Sequence, residues 1–309
     1  MVRCDKADWH DMEIEQGGVP VATKPWVVKQ LKRLVWAGME RRMTAKLIRL
    51  IAEERAVYSA VIATKRAEPT LSSAIPPVVQ RGPFAGLQYP ARCAVGSSYW
   101  PKILGTYELE LADVMDAACE RAYTHILDIG AGEGYYAVGL ATRITNARIY
   151  AYEGSQHGQM MLRRMADLNG VADRIDVRGW CDAESLRELG DVLPARRTLV
   201  ICDAEGAEYD MLAPKQIPVL GGWDLVVELH HRGSIRAPRD WLRNRFSATH
   251  KVRFIDVVPR DPRSIPELAL IASEDRIGVL FERTEQYGWA VLEARGDRQA
   301  SSRSLGGRD

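Results

Sequence analysis

Five candidates to move a proton or hold a hard cation stand in two short stretches of the second half of the chain. Asp203, Glu205 and Glu208 stand in CDAEGAEYDML, and Glu228 and His230 stand in VVELHH. An imidazole titrates at about 6.5 when unperturbed, which suits it to take a proton at neutral pH. His230 is therefore the general-base candidate. Asp203, Glu205 and Glu228 carry oxygen ligands of the kind Mg²⁺ prefers. No resident metal is expected, and these three would hold one if it were present. Each residue also has a plainer reading. Glu208, just inside a helix, would answer the helix dipole. Glu228, between Val227 and Leu229, would be a buried acid paired with an arginine, and His230 a hydrogen-bonded strand end.

A second constellation lies upstream, in ILDIGAGEGYYAVGLA, where Gly130, Gly132 and Gly134 interrupt an apolar run. Glycine at this density after a buried strand lets the backbone close around a ligand. A dinucleotide fingerprint would need glycine at 135, where Tyr135 stands, and a phosphate loop would need G-K-[ST], which is absent. Asp128 at the strand's end and Glu133 within the loop oppose a pyrophosphate and favour a cation. S-adenosylmethionine carries a sulfonium and an α-ammonium and no phosphate. Glu153, at the end of the next strand, stands where an acid accepts bonds from ribose hydroxyls. Asp182, after the third strand, would accept from an adenine amino group, and serves equally as an N-cap for AESLRELG.

These residues need a scaffold that brings strand ends together. From Leu109 onward short apolar strands alternate with helix-length segments: a helix over 109–122, strands over 124–129, 147–153, 174–181, 198–206 and 224–231, and helices between them. The alternation predicts a parallel sheet with helices on both faces. Two further strands, 250–258 and 287–295, flank an expected helix over 274–285. Four regions follow: a basic helical extension (1–66), a connector or cap rich in Pro and Gly (67–107), the α/β domain (108–295), and a polar tail expected to be disordered (296–309).

The 309-residue chain has a formal charge of +1, which hides an asymmetry: Thr23 to Arg66 holds eleven Lys or Arg against three Glu, so the rest is net acidic. In that extension Thr23 is a candidate N-cap, and Val28, Leu31, Val35, Met39 and Met43 keep helical spacing. It could shape an acceptor pocket, meet an anionic partner, support an oligomer, or pack on the domain. No aromatic ladder or RNA-binding motif accompanies it, so nucleic acid is not expected. No apolar run reaches the ~18–20 residues of a membrane span. The N-terminus lacks an apolar signal region. Five scattered cysteines without a CxxC pair predict reduced thiols and a cytoplasmic setting.

The ordered motifs resemble those of class I S-adenosylmethionine-dependent methyltransferases, and more narrowly the FkbM-like group. DIGAGEG is similar to the first motif of that family, YAYEGS to the second, CDAEGAEYDML to its D-x-E-G-x-E stretch, VVELHH to its E-x-H, and GTYELEL to a G-x-Y-E element ahead of the domain. The likeness spans about residues 81–295. It implies a Rossmann-like seven-stranded, mostly parallel sheet with a reversed last strand. It also implies a cofactor pocket lined by Asp128, Gly130, Ala131, Gly132, Gly134, Glu153, Gly154, Cys181, Asp182 and Asp203, with Glu108 at the methionine end. The implied activity is methylation, on oxygen of a small molecule, sugar or glycan precursor. A silent cofactor-binding scaffold is the alternative from another class, and an NAD-linked oxidoreductase a third.

Overall fold

The computed structural model describes residues 41–230, 237–282 and 288–295. The expected Thr23 cap, the stripe from Val28 to Met39 and the polar tail lie outside them.

Seven strands form one sheet: β1 (His125–Ile129), β2 (Arg148–Tyr152), β3 (Ile175–Arg178), β4 (Thr198–Cys202), β5 (Asp224–Glu228), β6 (His250–Ile255) and β7 (Trp289–Ala294). Their spatial order is β3-β2-β1-β4-β5-β7-β6. The first five run parallel, and β7 is antiparallel to both of its neighbours. This is the seven-stranded, Rossmann-like sheet with a reversed last strand that the motifs imply. β1 and β4 sit at its centre, and their continuous apolar runs are buried on both faces. Ile126 and Ile201 enter one core, while Leu127, Val200 and Cys202 enter the other, as the two-residue period of a strand demands.

The strands are shorter than their apolar runs. β3 is an edge strand with a four-residue register against β2 alone, so the run to 181 leaves the sheet after Arg178. β4 ends at Cys202, and beyond it Glu205 and Gly206 adopt left-handed backbone (φ 50° and 96°), which a ladder does not accommodate.

Helices cover both faces: α1 (Arg41–Ala74), α2 (Tyr99–Leu104), α3 (Ala112–Glu120), α4 (Tyr135–Arg143), α5 (Gln156–Leu168), α6 (Ala183–Gly190), α7 (Glu208–Met211), α8 (Pro238–Phe246) and α9 (Arg276–Val279). The N-terminal helix runs through Arg66 to Ala74 and buries Ala60, Ala63, Ala67 and Leu71 along one side. Small residues there admit α9 so closely that a Cβ on Gly278 would lie 2.4 Å from that of Ala63. Arg66 pairs with Asp275 beside this contact. The helix expected over 274–285 shrinks to α9, which carries that glycine, a poor helix former, at its middle.

The stretch 67–107 contributes Phe84, Trp100, Ile103 and Leu104 to the core, so it is more than a cover. Phe84 lies against Gly139 of α4, where any Cβ would meet its ring at 2.6 Å. Cys119, Cys181 and Cys202 are free thiols. Cys93 is disulfide-bonded, so the expectation of reduced thiols throughout fails there, because spacing along the chain does not reveal which sulfurs meet in space. Among the described residues no helix is long and apolar enough to cross a membrane.

Candidate functional site

Register brings the chemistry to one edge. Ile129 aligns with Tyr152 on one side and Cys202 on the other, and Cys202 aligns with Val227. The next residues in each strand are Gly130, Glu153, Asp203 and Glu228, which therefore emerge side by side at the carboxyl ends, where open α/β sheets bind ligands.

The glycine loop is held from several directions. Gly130 and Ala131 donate N–H bonds to the Tyr152 carbonyl, each at 2.9 Å. Gly130 has φ 87° and lies against β4, where a Cβ would stand 1.7 Å from the Asp203 carbonyl oxygen. Glu153 clamps the loop through Oε2, which accepts from the Gly132 N–H at 2.9 Å, while Oε1 accepts from Ser155 N–H at 2.7 Å. Asp128, buried at the loop's base, has an Oδ2 with no hydrogen-bond partner among the described residues. Burial pushes its carboxyl up to about 7. The Ala137 N–H opposes that shift and the Asp203 charge adds to it.

Glu133 departs from its expected role. It is fully buried, pairs with Lys102 at 2.6 Å, and accepts from the Tyr89 hydroxyl at 3.0 Å and the Val95 N–H at 2.9 Å. Its charge locks the 67–107 segment to the loop and does not confront a ligand. Lys102, the one charge in WPKIL, was the available sequence signal, since a lysine inside an apolar run is buried only with a partner.

At the third strand end, Asp182 caps α6, with Oδ1 accepting from the Ser185 N–H at 2.8 Å. The capping bonds hold its carboxyl below the ordinary value. The Cys181 thiol, pushed up to about 12 by burial, packs against the second core. Between them and β2 the Trp180 ring lies over Gly154, where a Cβ would come within 2.7 Å, yet the residue is 83% exposed. Pattern reading passed over this exposed tryptophan.

Glu108 is buried with left-handed backbone (φ 46°). Its carboxylate accepts from the Tyr136 hydroxyl, and its N–H donates to Glu282 at 3.0 Å. Burial raises the Glu282 carboxyl to about 7 against the pull of Arg260, which also pairs with Glu110. Glu108 lines a pocket with Tyr107, Tyr135 and Tyr136, and none of Gly130, Gly132 and Gly134 lines it.

The fourth and fifth strand ends carry the acid and histidine cluster. His230 Nε2 lies 3.4 Å from Asp203 Oδ1, 3.7 Å from Glu205 Oε2 and 3.7 Å from Glu228 Oε2. Its Nδ1 lies 3.3 Å from Glu208 Oε1. Glu208 is 1% exposed and stands in the first turn of α7, with its other oxygen accepting from the Gly206 N–H at 2.8 Å, so it orients the imidazole as well as answering the helix dipole. Tyr209 donates its hydroxyl to the His230 carbonyl at 2.5 Å and fixes the backbone as well. Burial pulls the His230 pKa down, but the Glu208 bond and the Asp203, Glu208 and Glu205 charges outweigh it and hold the imidazole above its ordinary value. Glu205 and His230 lie beyond the ends of β4 and β5, and Glu205 opens a turn with left-handed backbone.

No family model matches the chain. A curated relative, the release factor glutamine methyltransferase of Chlorobaculum tepidum, is 34% identical over 95 residues, covering 30% of this chain. The chain spans 28% of that relative's length. Solved structures similar to it include the O-methyltransferase TomG of Streptomyces achromogenes in complex with SAM (15% identity, 61% of this chain and 79% of that one, TM-score 0.43). Another is the O-methyltransferase of Bacillus cereus in complex with SAH (13% identity, 75% and 89%, TM-score 0.40).

Proposed function

We propose that the chain is an S-adenosylmethionine-dependent methyltransferase of the FkbM-like kind that methylates an oxygen of a small molecule, sugar or glycan precursor. The observation that carries this reading is the contact between the glycine loop and the acid and histidine cluster, with Gly130 against the Asp203 carbonyl. A donor held by the loop and an acceptor held by the cluster would be neighbours, as a one-step displacement requires, since its main demand is close, in-line approach. The 95-residue likeness to a methyltransferase supports the same reaction class.

The residues fit the donor. Asp128 keeps a buried acceptor oxygen without a partner among the described residues, which a cationic ligand would satisfy. Glu153, already fixed by two backbone N–H groups, keeps acceptor capacity for a ribose, and Trp180 offers an exposed ring beside Gly154. Gly130, Ala131, Gly132, Gly134, Asp182, Asp203 and Glu108 complete the proposed pocket. S-adenosylmethionine supplies a methyl group activated on a sulfonium. His230, oriented by Glu208 and Tyr209, takes the acceptor's proton at Nε2, and Asp203, Glu205 and Glu228 stabilise the imidazolium that results. Lys102 removes Glu133 from the charge argument against a dinucleotide, while Tyr135 and Asp128 still stand against one.

Calorimetry with S-adenosylhomocysteine and with NAD tests the donor. Binding of NAD alone would defeat the proposal. Incubation with a labelled methyl donor and a metabolite extract then identifies the acceptor by the labelled product.

A further inference from the structure

The Asp203, Glu228 and His230 ligand atoms all lie within 4.8 Å of one another at the junction of two strand ends. We infer that these three residues form a site for a divalent transition-metal cation of the Mn²⁺ or Zn²⁺ class, in preference to Mg²⁺.

Three observations carry it. The first is spacing. Charge-assisted N–H···O⁻ bonds close to about 2.7–2.9 Å, yet Nε2 stands 3.4 Å from Asp203 Oδ1 and 3.7 Å from Glu228 Oε2. Two ligands each about 2.1 Å from one cation are roughly 3.0–3.5 Å apart at octahedral or tetrahedral angles. The 3.4 Å separation falls within that range and the 3.7 Å separation just beyond it, and both are longer than a closed charge-assisted hydrogen bond.

The second is orientation. A metal-bound histidine almost always donates its other ring N–H to a carboxylate, a backbone carbonyl or a water, which sets the tautomer. Here Nδ1 faces Glu208, a buried carboxylate pinned by the Gly206 N–H, and the Tyr209 hydroxyl holds the His230 carbonyl. Nε2 is thereby turned towards Asp203 and Glu228.

The third is ligand chemistry. An imidazole beside two carboxylates suits borderline cations, whereas Mg²⁺ selects oxygen and retains water. This revises the all-oxygen set expected from the sequence: His230 replaces Glu205, whose side chain is 85% exposed. Three protein ligands leave positions for an acceptor's oxygen; a cation there would acidify that oxygen, and because Nε2 would then be a ligand, the exposed Glu205 carboxylate, 3.7 Å from Nε2, would take the proton in place of the imidazole. That use in methyl transfer rests on the function proposed above; binding of the ion does not.

The test uses the full chain treated with EDTA and then titrated with Mn²⁺, the free ion being followed by its electron paramagnetic resonance signal. One Mn²⁺ per chain is expected, bound at least about ten-fold more tightly than Mg²⁺. Asp203→Asn, at a partly exposed position, and His230→Ala each remove a ligand and should weaken it by at least the roughly 10- to 100-fold that losing a ligand's hydrogen-bond partner costs. Absence of Mn²⁺ binding, undiminished binding by both variants, or a preference for Mg²⁺ would each overturn the inference. S-adenosylhomocysteine calorimetry on the same metal-free protein reads the donor pocket separately. A failure there with Mn²⁺ binding intact would count against the donor alone.

Discussion

Gly130 and the Asp203 carbonyl are packed so tightly that a β-carbon on the glycine would stand 1.7 Å from the oxygen. In the same place the Asp203 N–H donates to Ile129 at 2.9 Å, so the glycine loop and the start of the acidic cluster are a single backbone unit.

Gly130→Ala should therefore damage both. The substitution meets backbone, which does not give way as a side chain would, at a φ of 87° that alanine disfavours. A loss of about 2–4 kcal/mol in chemical denaturation is expected, with weakened S-adenosylhomocysteine binding in whatever fraction folds. A variant as stable as the parent would refute the contact.

Asp128 makes a prediction about pH. Its folded value of about 7 lies above the unfolded carboxylate value of about 3.9. A carboxyl raised by folding contributes fully below its unfolded pKa, and that contribution is lost as pH rises through the folded value. Asp128→Asn should flatten the fall in stability between about pH 4 and pH 7 and gain on the order of 1–3 kcal/mol at neutral pH. Melting temperatures across that range check it; an unchanged slope would sink it.

Lys102 and Glu133 form a buried ion pair, with side chains 5% and 0% exposed. Removing one partner of such a pair costs about 3–5 kcal/mol, because the other is stranded away from water. Lys102→Met is expected to lose that much, and adding Glu133→Gln to recover a large part of it. A double-mutant cycle in urea with no coupling would contradict the pairing.

The imidazole of His230 should titrate above its ordinary value in metal-free protein, and Glu208→Gln should bring it down. Histidine resonances followed by NMR against pH give the reading. A shift that survives the substitution would assign it to Asp203 and Glu205 instead.

Much of the scaffold is written locally. The short continuous apolar runs of HILDI and TLVIC, the helical spacing of AESLRELG and the glycines at 130, 132 and 134 each depend on neighbours within one turn or one strand. All seven strands were legible for that reason, as were Asp128, Glu153, Asp203 and Glu228 at their ends. Where a strand or helix stops depends on what it pairs with, so β3 and α9 came out short.

The sequence by itself determined the order of strands and helices, the glycine loop, and which acids and imidazole reach the sheet's carboxyl edge. Only the tertiary structure decided what each charge faces. Glu133 lies thirty-one residues from Lys102 and is neutralised by it, and Glu208 lies twenty-two from His230 and orients it. Asp203 and Glu205 reach the same imidazole nitrogen from the loop that follows β4. Electrostatic interactions depend on distance in space and on burial, and neither is encoded in the spacing of residues along the chain.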